Sequence, residues 1–267
     1  MIIGVDAGAS ALKIVGLEDE RILFTKMMTG TEYRIDEVIE KTAAEFGFKL
    51  SSEDIIAITG VGTERCLNSC KYKAKPISEI HATGEGAIWL SGENRAVVVS
   101  IGTGTSLVFA EEGVFSHIGG SGVGSGTLRG LSKKLFGTED IKRLFQFAEN
   151  GNRYTVDIII SDLFSGLDTL PSDLTASNLA KAEETATTAD WAYAVINMVM
   201  EVAGSHAALA CGGYGVQTVI ITGGISNTDI AKKVYDGFSR LYKLNYIIPE
   251  YSDFATAIGA ARRCIGG

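Results

Sequence analysis

The first apolar run of the chain, Ile2-Ile3-Gly4-Val5, leads straight into Asp6, and Gly8, Ser10 and Lys13 follow. A carboxylate beside a tight glycine turn can hold Mg2+ through water, and a lysine placed shortly after it can face phosphate oxygens. Phosphoryl transfer suits such a set, because it asks a protein for positioning, charge neutralisation around a divalent cation and a base for the attacking hydroxyl. Packing alone explains an acid at the end of an apolar strand poorly, which points Asp6 toward function. Lys13 suits either the phosphates or an outward-facing strand position. A second candidate is the run GSGVGSGTLRG over residues 120–130. Its glycines lead into a helix start whose free backbone N–H groups can hold phosphate, with Ser125, Gly126, Thr127, Leu128 and Arg129 in reach. A dinucleotide fold is not indicated, since no acidic ribose-binding residue follows a βαβ unit.

An internal duplication positions these residues. Residues 2–14 and 98–110 align at a constant separation of 96, with Gly8 on Gly104 and Ser10 on Ser106. Each copy reads as strand, glycine turn, strand, a hairpin with a functional tip. Residues 55–62 and 219–226 form a second pair, each an apolar strand ending in Thr-Gly. Helical stretches are expected over residues 35–46 and 174–211, so each half alternates strands and helices. Two similar lobes around a cleft follow, divided as residues 1–93 and 94–267. The final helix is expected to pack back on the first lobe. Strand-ending turns alone would also produce Thr-Gly and Gly-Thr-Gly, but four such motifs in repeated order favour a duplicated nucleotide-binding fold.

Composition narrows the partners. With 46% hydrophobic residues over 267 positions, the chain has ample core for a folded globular protein. Its net charge of −8 opposes a nucleic-acid partner. Cys66, Cys70, Cys211 and Cys264 lack CxxC spacing and read as reduced thiols. The N-terminus reads as a first strand rather than a signal peptide. Residues 191–211 contain Asn197, Glu201, His206 and two glycines, and read as a buried helix rather than a membrane span, with His206 in the core. A cytoplasmic protein is expected.

The segments VDAGASALKIV, SIGTGTSL, HIGGSGVGSGTLRGL and GNRYTVDI…LPSDLTASN together resemble type II pantothenate kinases of the bacterial, staphylococcal-like kind. That family lies within the sugar kinase, heat-shock chaperone and actin superfamily. The resemblance spans nearly the whole chain. It implies an α/β, duplicated ribonuclease H-like fold, the actin and sugar-kinase ATPase architecture, using ATP and Mg2+. It implies phosphorylation of pantothenate to 4'-phosphopantothenate, the first step of coenzyme A biosynthesis, by a homodimer. Glu79 in SEIHATGEG matches the family's general base and joins Asp6 as the catalytic pair, although a glutamate at a helix start is also favoured by the macrodipole. By resemblance and loop geometry, Gly8, Ser10, Lys13, Thr103, Gly104 and Gly224 bind ATP, with Gly224 leaving room for adenosine. Thr103 and Thr105 bridge acceptor and phosphate.

Two positions depart from the family. His117 stands where an arginine usually binds the substrate carboxylate, and His81 stands where aspartate is common. A neutral imidazole clamps a carboxylate less well than a bidentate guanidinium. An amino sugar or another small alcohol is therefore the alternative acceptor. A non-kinase ATPase that activates a partner enzyme is the other alternative, and it would be expected to carry cysteines for a cluster shared between subunits.

Overall fold

The opening strand is buried on both faces from Ile3 to Ala7, with Ile3, Val5 and Ala7 on one face and Gly4 and Asp6 on the other. The computed structural model describes residues 1–30, 33–164 and 170–265. The first half runs β1 (Ile2–Ala7), β2 (Ala11–Glu18), β3 (Arg21–Thr29), α1 (Ile35–Glu45), β4 (Ile55–Thr59), α2 (Thr63–Ser69), β5 (Lys73–Pro76) and α3 (Glu79–Ser91). The second opens with β6 (Arg95–Ile101), β7 (Thr105–Glu111), β8 (Val114–Ser121), α4 (Ser125–Phe136) and α5 (Ile141–Phe147). A short insertion follows, with β9 (Ile158–Ile159), α6 (Ile160–Leu163) and β10 (Thr175–Ser177). The chain then forms α7 (Thr188–Tyr214), β11 (Thr218–Thr222), α8 (Asp229–Tyr242), β12 (Asn245–Ile247) and α9 (Ala255–Arg262).

The two five-stranded sheets repeat one topology, β3-β2-β1-β4-β5 and β8-β7-β6-β11-β12. In each, the first three strands form an antiparallel meander and two parallel strands extend it past the first. One face of the first sheet packs Ile3, Val5, Leu12 and Ile14 against Ile35, Ile39 and Cys66 from α1 and α2. The outer face of the second packs Val97, Val99 and Ile101 against residues of α4, α5, α7 and α8. Between the sheets lie α3 and α9, which pack against each other more extensively than any other pair of elements. The helix that follows the first sheet in sequence, α3, lies on β6, β7, β8 and β11, while α9 lies on β1, β2 and β4.

Glycine makes that crossing possible. A Cβ on Gly86 would run into the Ala255 carbonyl, one on Gly259 into the Ala82 carbonyl, and one on Gly4 into the Ala257 carbonyl. The backbones of α3, α9 and β1 therefore touch directly.

The structure departs from the expected helix over residues 174–211. Only Thr188 onward is helical, started by a Thr187–Asp190 capping box. Upstream, Thr175–Ser177 is a strand, and Leu179 and Ala182 take left-handed backbone conformations (φ 60° and 43°) that no helix continues through. Buried Asp157 holds the Leu179 N–H at 2.9 Å, and Glu201 accepts hydrogen bonds from Thr175 and Asn178, so polar anchors rather than periodicity shape this segment. His206 is exposed rather than part of the core, its Nδ1 2.7 Å from the Val202 carbonyl within α7. By length and composition α7 has an 18-residue window apolar enough to cross a membrane, with a mean hydropathy of 1.4, but 56% of it is buried inside the protein.

Gly86→Ala is expected to lower the stability measured by urea unfolding by about 1–3 kcal/mol, because the helix backbones must separate to admit one methyl group. Gly213→Ala, at an exposed α7 position with open space around a built Cβ, should hold or raise it by about 0.5–1 kcal/mol.

Candidate active site

Asp6 and Lys13 face each other across the first hairpin, paired in register on β1 and β2. Lys13 Nζ lies 3.4 Å from Asp6 Oδ2, with only 12% and 11% of the two side chains exposed. On the other side of Asp6, in register on β4, stands Thr59, whose buried hydroxyl has no hydrogen-bond partner among the described residues. Gly60 then turns the chain away with φ +90°, and a Cβ there would strike the Ala7 carbonyl and Asp6 Oδ1. Only glycine lets β4 end this close to the carboxylate.

Glu79 is the first residue of α3, so the helix that lies between the sheets delivers it to the same cleft. Its side chain still meets solvent, yet crowding by the surrounding protein pushes its carboxyl above the ordinary range. The Asp6 charge pushes it further and Lys13 pulls it back, which places all three groups within electrostatic reach.

The hairpin tips meet across the cleft, with Ser10 Oγ 2.9 Å from Thr103 Oγ1. The constant separation expected from sequence does not hold through the hairpins. The first closes on Ala7 and Leu12 around four residues, the second on Ile101 and Thr105 around three. The equivalent of the Thr59–Asp6–Lys13 rung is thus Thr222–Ser100–Ser106.

The second hairpin caps α4 with its own backbone. The Ser125 N–H donates to the Gly102 carbonyl at 2.8 Å and the Gly126 N–H to Thr103 at 2.9 Å. Leu128 donates to Gly124 and buries its side chain in the core. Of the first-turn N–H groups, that of Thr127 has no backbone partner among the described residues. Sequence reasoning expected these donors to be free, and missed that a glycine hairpin offers carbonyls as readily as amides. The Thr105 hydroxyl turns inward to the Val123 carbonyl at 2.7 Å, and Gly104 lies against the Ser121 carbonyl. Arg129 is half-buried on α4. Gly224 borders open space after β11, as an adenosine site requires.

His117 is exposed on β8, in register with Val108 and thus on the face toward α3. Two residues earlier, Phe115 meets the His81 ring at 6.2 Å, edge to face. No hydrogen bond among the described residues ties His117, Arg129 or Gly224 to the Asp6–Lys13 pair.

One acid at the cleft escaped sequence reasoning. Asp253 lies in the 3-10 turn Ser252–Phe254 before α9, where Ser-Asp reads as an ordinary helix start. Burial pushes its carboxyl up and Lys13 draws it down. The four cysteines are free thiols. Burial raises each of them, Cys211 to about 11, and three lie in hydrophobic cores, whereas a cluster shared between subunits needs surface thiols.

The duplicated sheets, the central helix pair and the cleft define an α/β protein of the actin-like ATPase and sugar-kinase fold. Solved structures agree on the fold: the Acidaminococcus fermentans (R)-2-hydroxyglutaryl-CoA dehydratase component A matches with a TM-score of 0.67 at 16% identity, covering 97% of this chain and 95% of that one. A ROK family glucokinase from Streptomyces griseus, in complex with glucose and AMPPNP, matches with a TM-score of 0.59 at 14% identity, covering 100% and 99%. The Fumble family model matches residues 93–261, and the chain belongs to that family, the pantothenate kinase family. A type II pantothenate kinase of Bacillus cereus (strain AH820) is 32% identical over 189 residues, 67% of this chain and 66% of that protein. One of Staphylococcus saprophyticus is 28% identical over 274 aligned positions, 97% of this chain and 99% of that protein.

Carbon-13 titration of Glu79, assigned by its loss in Glu79→Gln, should give a midpoint above the range of an ordinary exposed glutamate. Asp6→Asn should lower that midpoint by removing a like charge, and Lys13→Met should raise it by removing the opposite one.

Proposed function

We propose that this chain is an ATP-dependent pantothenate kinase that forms 4'-phosphopantothenate, the first step of coenzyme A biosynthesis. The observation that carries the proposal is the delivery of Glu79, by the N-terminus of α3, to the Asp6–Lys13 pair. Relatives named type II pantothenate kinase, one aligned over nearly its full length, support the choice of acceptor.

In this reading Glu79 takes the proton from the acceptor's primary hydroxyl as the oxygen attacks the γ-phosphate. Its raised carboxyl suits that task, because a base works best with an affinity near the operating pH. Lys13 faces the phosphates, the Ser10 and Thr103 hydroxyls flank them from opposite lobes, and Gly224 leaves room for the adenosine. From α4, the Thr127 N–H, the Ser125 side chain and the Arg129 guanidinium remain for the nucleotide. His117 meets the acceptor carboxylate by a hydrogen bond. Mg2+ fits these residues: Asp6 offers a hard carboxylate beside the orphaned Thr59 hydroxyl, and a single carboxylate completed by water and phosphates is a common Mg2+ arrangement. Bound there through water, it would neutralise phosphate charge. Closure of the lobes excludes water from the transfer. The division into lobes of residues 1–93 and 94–267, a homodimer and a cytoplasmic location complete the proposal, the last two on the family resemblance.

Coupled ADP release with Mg-ATP tests the reading. Pantothenate should be turned over by the wild-type protein, and Glu79→Gln should lower kcat by about 100-fold or more while leaving the KM for ATP within about twofold. Absence of pantothenate turnover in folded wild-type protein overturns the acceptor, and an undiminished kcat in Glu79→Gln overturns the base.

A further inference from the structure

Asp6 is the middle of a three-strand rung with a donor on each side. Lys13 is in register with it on β2 and Thr59 on β4, so the three side chains share one face of the sheet. The two carboxylate oxygens divide between these neighbours. Oδ2 takes the Lys13 ammonium at 3.4 Å, the one hydrogen bond to this carboxylate among the described residues. Oδ1 lies on the β4 side, 2.9 Å from where a Cβ would stand on Gly60, the residue after Thr59. Thr59 is fully buried, and its hydroxyl has no partner among the described residues. An enclosed hydroxyl without a partner is costly, and the second half of the chain shows that the strand position does not require it. There Thr222 holds the same place on β11, and its hydroxyl donates to the Val99 carbonyl at 3.0 Å. Val5 is the equivalent of Val99 on β1, yet Thr59 makes no such bond. The two rungs differ at their centre, Asp6 in one and Ser100 in the other. Other donors near the carboxylate are committed: the Gly8 N–H to Ala11 at 3.1 Å, the Gly62 N–H to Ala7 at 2.9 Å, and the Ser10 hydroxyl in its 2.9 Å pair with Thr103.

We propose that Thr59 is a positioning residue: its hydroxyl takes over the Asp6 carboxylate, by donating to Oδ1, when Lys13 leaves Asp6 for the phosphates. This rests on the kinase reading for the role of Lys13. Phosphate oxygens compete for the ammonium, and a carboxylate only 11% exposed loses its hydrogen bond as the lysine turns to them. Thr59 supplies the replacement, so Asp6 keeps its orientation at the strand end while Lys13 moves. The cost falls on the arrangement in which Lys13 still holds Asp6 and the hydroxyl is left orphaned. A hydroxyl that only supported the fold would add stability whether or not Lys13 is present, and would leave nucleotide affinity unchanged.

Urea unfolding and calorimetric binding of Mg-ADP, on the full chain, test this with Thr59→Val, which keeps the shape without the hydroxyl, and Thr59→Ser, which keeps the hydroxyl. In the absence of nucleotide, Thr59→Val should raise the urea midpoint, because it removes an orphaned polar group. The same variant should bind Mg-ADP about tenfold more weakly, the loss of a hydrogen bond to a charged group. Thr59→Ser should bind within about twofold of wild type. In a Lys13→Met background, where Thr59 is left as the donor to Asp6, Thr59→Val should instead lower the midpoint. Unchanged Mg-ADP affinity or a lowered midpoint in the single Thr59→Val variant overturns the proposal. So does a serine variant that binds as weakly as the valine variant, or a stability change of the same sign in both backgrounds. Should the Lys13→Met protein not fold, the opposite signs of stability and affinity in Thr59→Val, with recovery in Thr59→Ser, decide it. If the wild-type protein does not bind Mg-ADP, the kinase reading falls, and the change of sign between the two backgrounds still decides whether Thr59 takes Asp6 over from Lys13.

Discussion

The direct backbone contact between α3 and α9 sets the geometry of everything around it. Gly86 and Gly259 remove the side chains that would hold the helices apart, and Gly4 does the same between β1 and α9. Ala82, Ala87, Ala257 and Ala260 fill the remaining space with methyl groups, all fully buried. Side chains this small contribute little apolar area each, so the crossing gains from close dispersion contact along two helices rather than from a few large residues. Thr83 and Thr256 pair their buried hydroxyls at 3.1 Å in its middle, a polar contact that sliding would break. At one end Arg262 bonds Glu85 and Glu20 and stacks over Trp89. Glu79 is a consequence of this arrangement. It begins a helix whose position is fixed by α9, and α9 lies on the strands that carry Asp6 and Lys13.

The duplication is structural but not chemical. Both halves build the same rung across three strands, Thr59–Asp6–Lys13 in one and Thr222–Ser100–Ser106 in the other. The first holds a buried ion pair beside an unpartnered hydroxyl, and the second is neutral, with the Thr222 hydroxyl satisfied by the Val99 carbonyl at 3.0 Å. Desolvating a charge pair is costly, and a fold gains little by doing it twice unless each pair has work. With ionic work concentrated in one rung, the second half is free to present hydroxyls and open space, at Thr103 and at Gly224.

What could be read in the sequence follows from which interactions are local. The Asp6 hairpin announces itself because strand, acid and glycine turn are contiguous, and its repetition exposes the duplicated fold. Glycines at residues 120–130 mark a helix start correctly, yet the state of its N–H groups depends on carbonyls at Gly102 and Thr103, about twenty residues upstream. Residues 174–187 have a composition compatible with helix, but Asp157 and Glu201 pull them into a strand and two left-handed turns. His206 shares an apolar helix with core residues and still faces outward, since mean apolarity does not say which face is buried. Asp253 was invisible for the same kind of reason: the strand its turn packs on, β2, comes from the opposite end of the chain.

The electrostatics of the cleft explain why these parts belong together. Asp6 pairs with Lys13, and Glu79 and Asp253 lie within electrostatic reach of the same lysine, in a chain that is acidic overall. Such a site repels a bare polyphosphate and accepts one whose charge a divalent cation has partly neutralised. Burial raises the Glu79 carboxyl first, its neighbour Asp6 adds to that by opposing ionisation, and Lys13 relieves part of the opposition. A second lysine would ease nucleotide entry and at the same time stabilise the Glu79 anion, weakening the base. The acids around Lys13 therefore favour metal-bound over bare nucleotide and a competent base in one arrangement of charges.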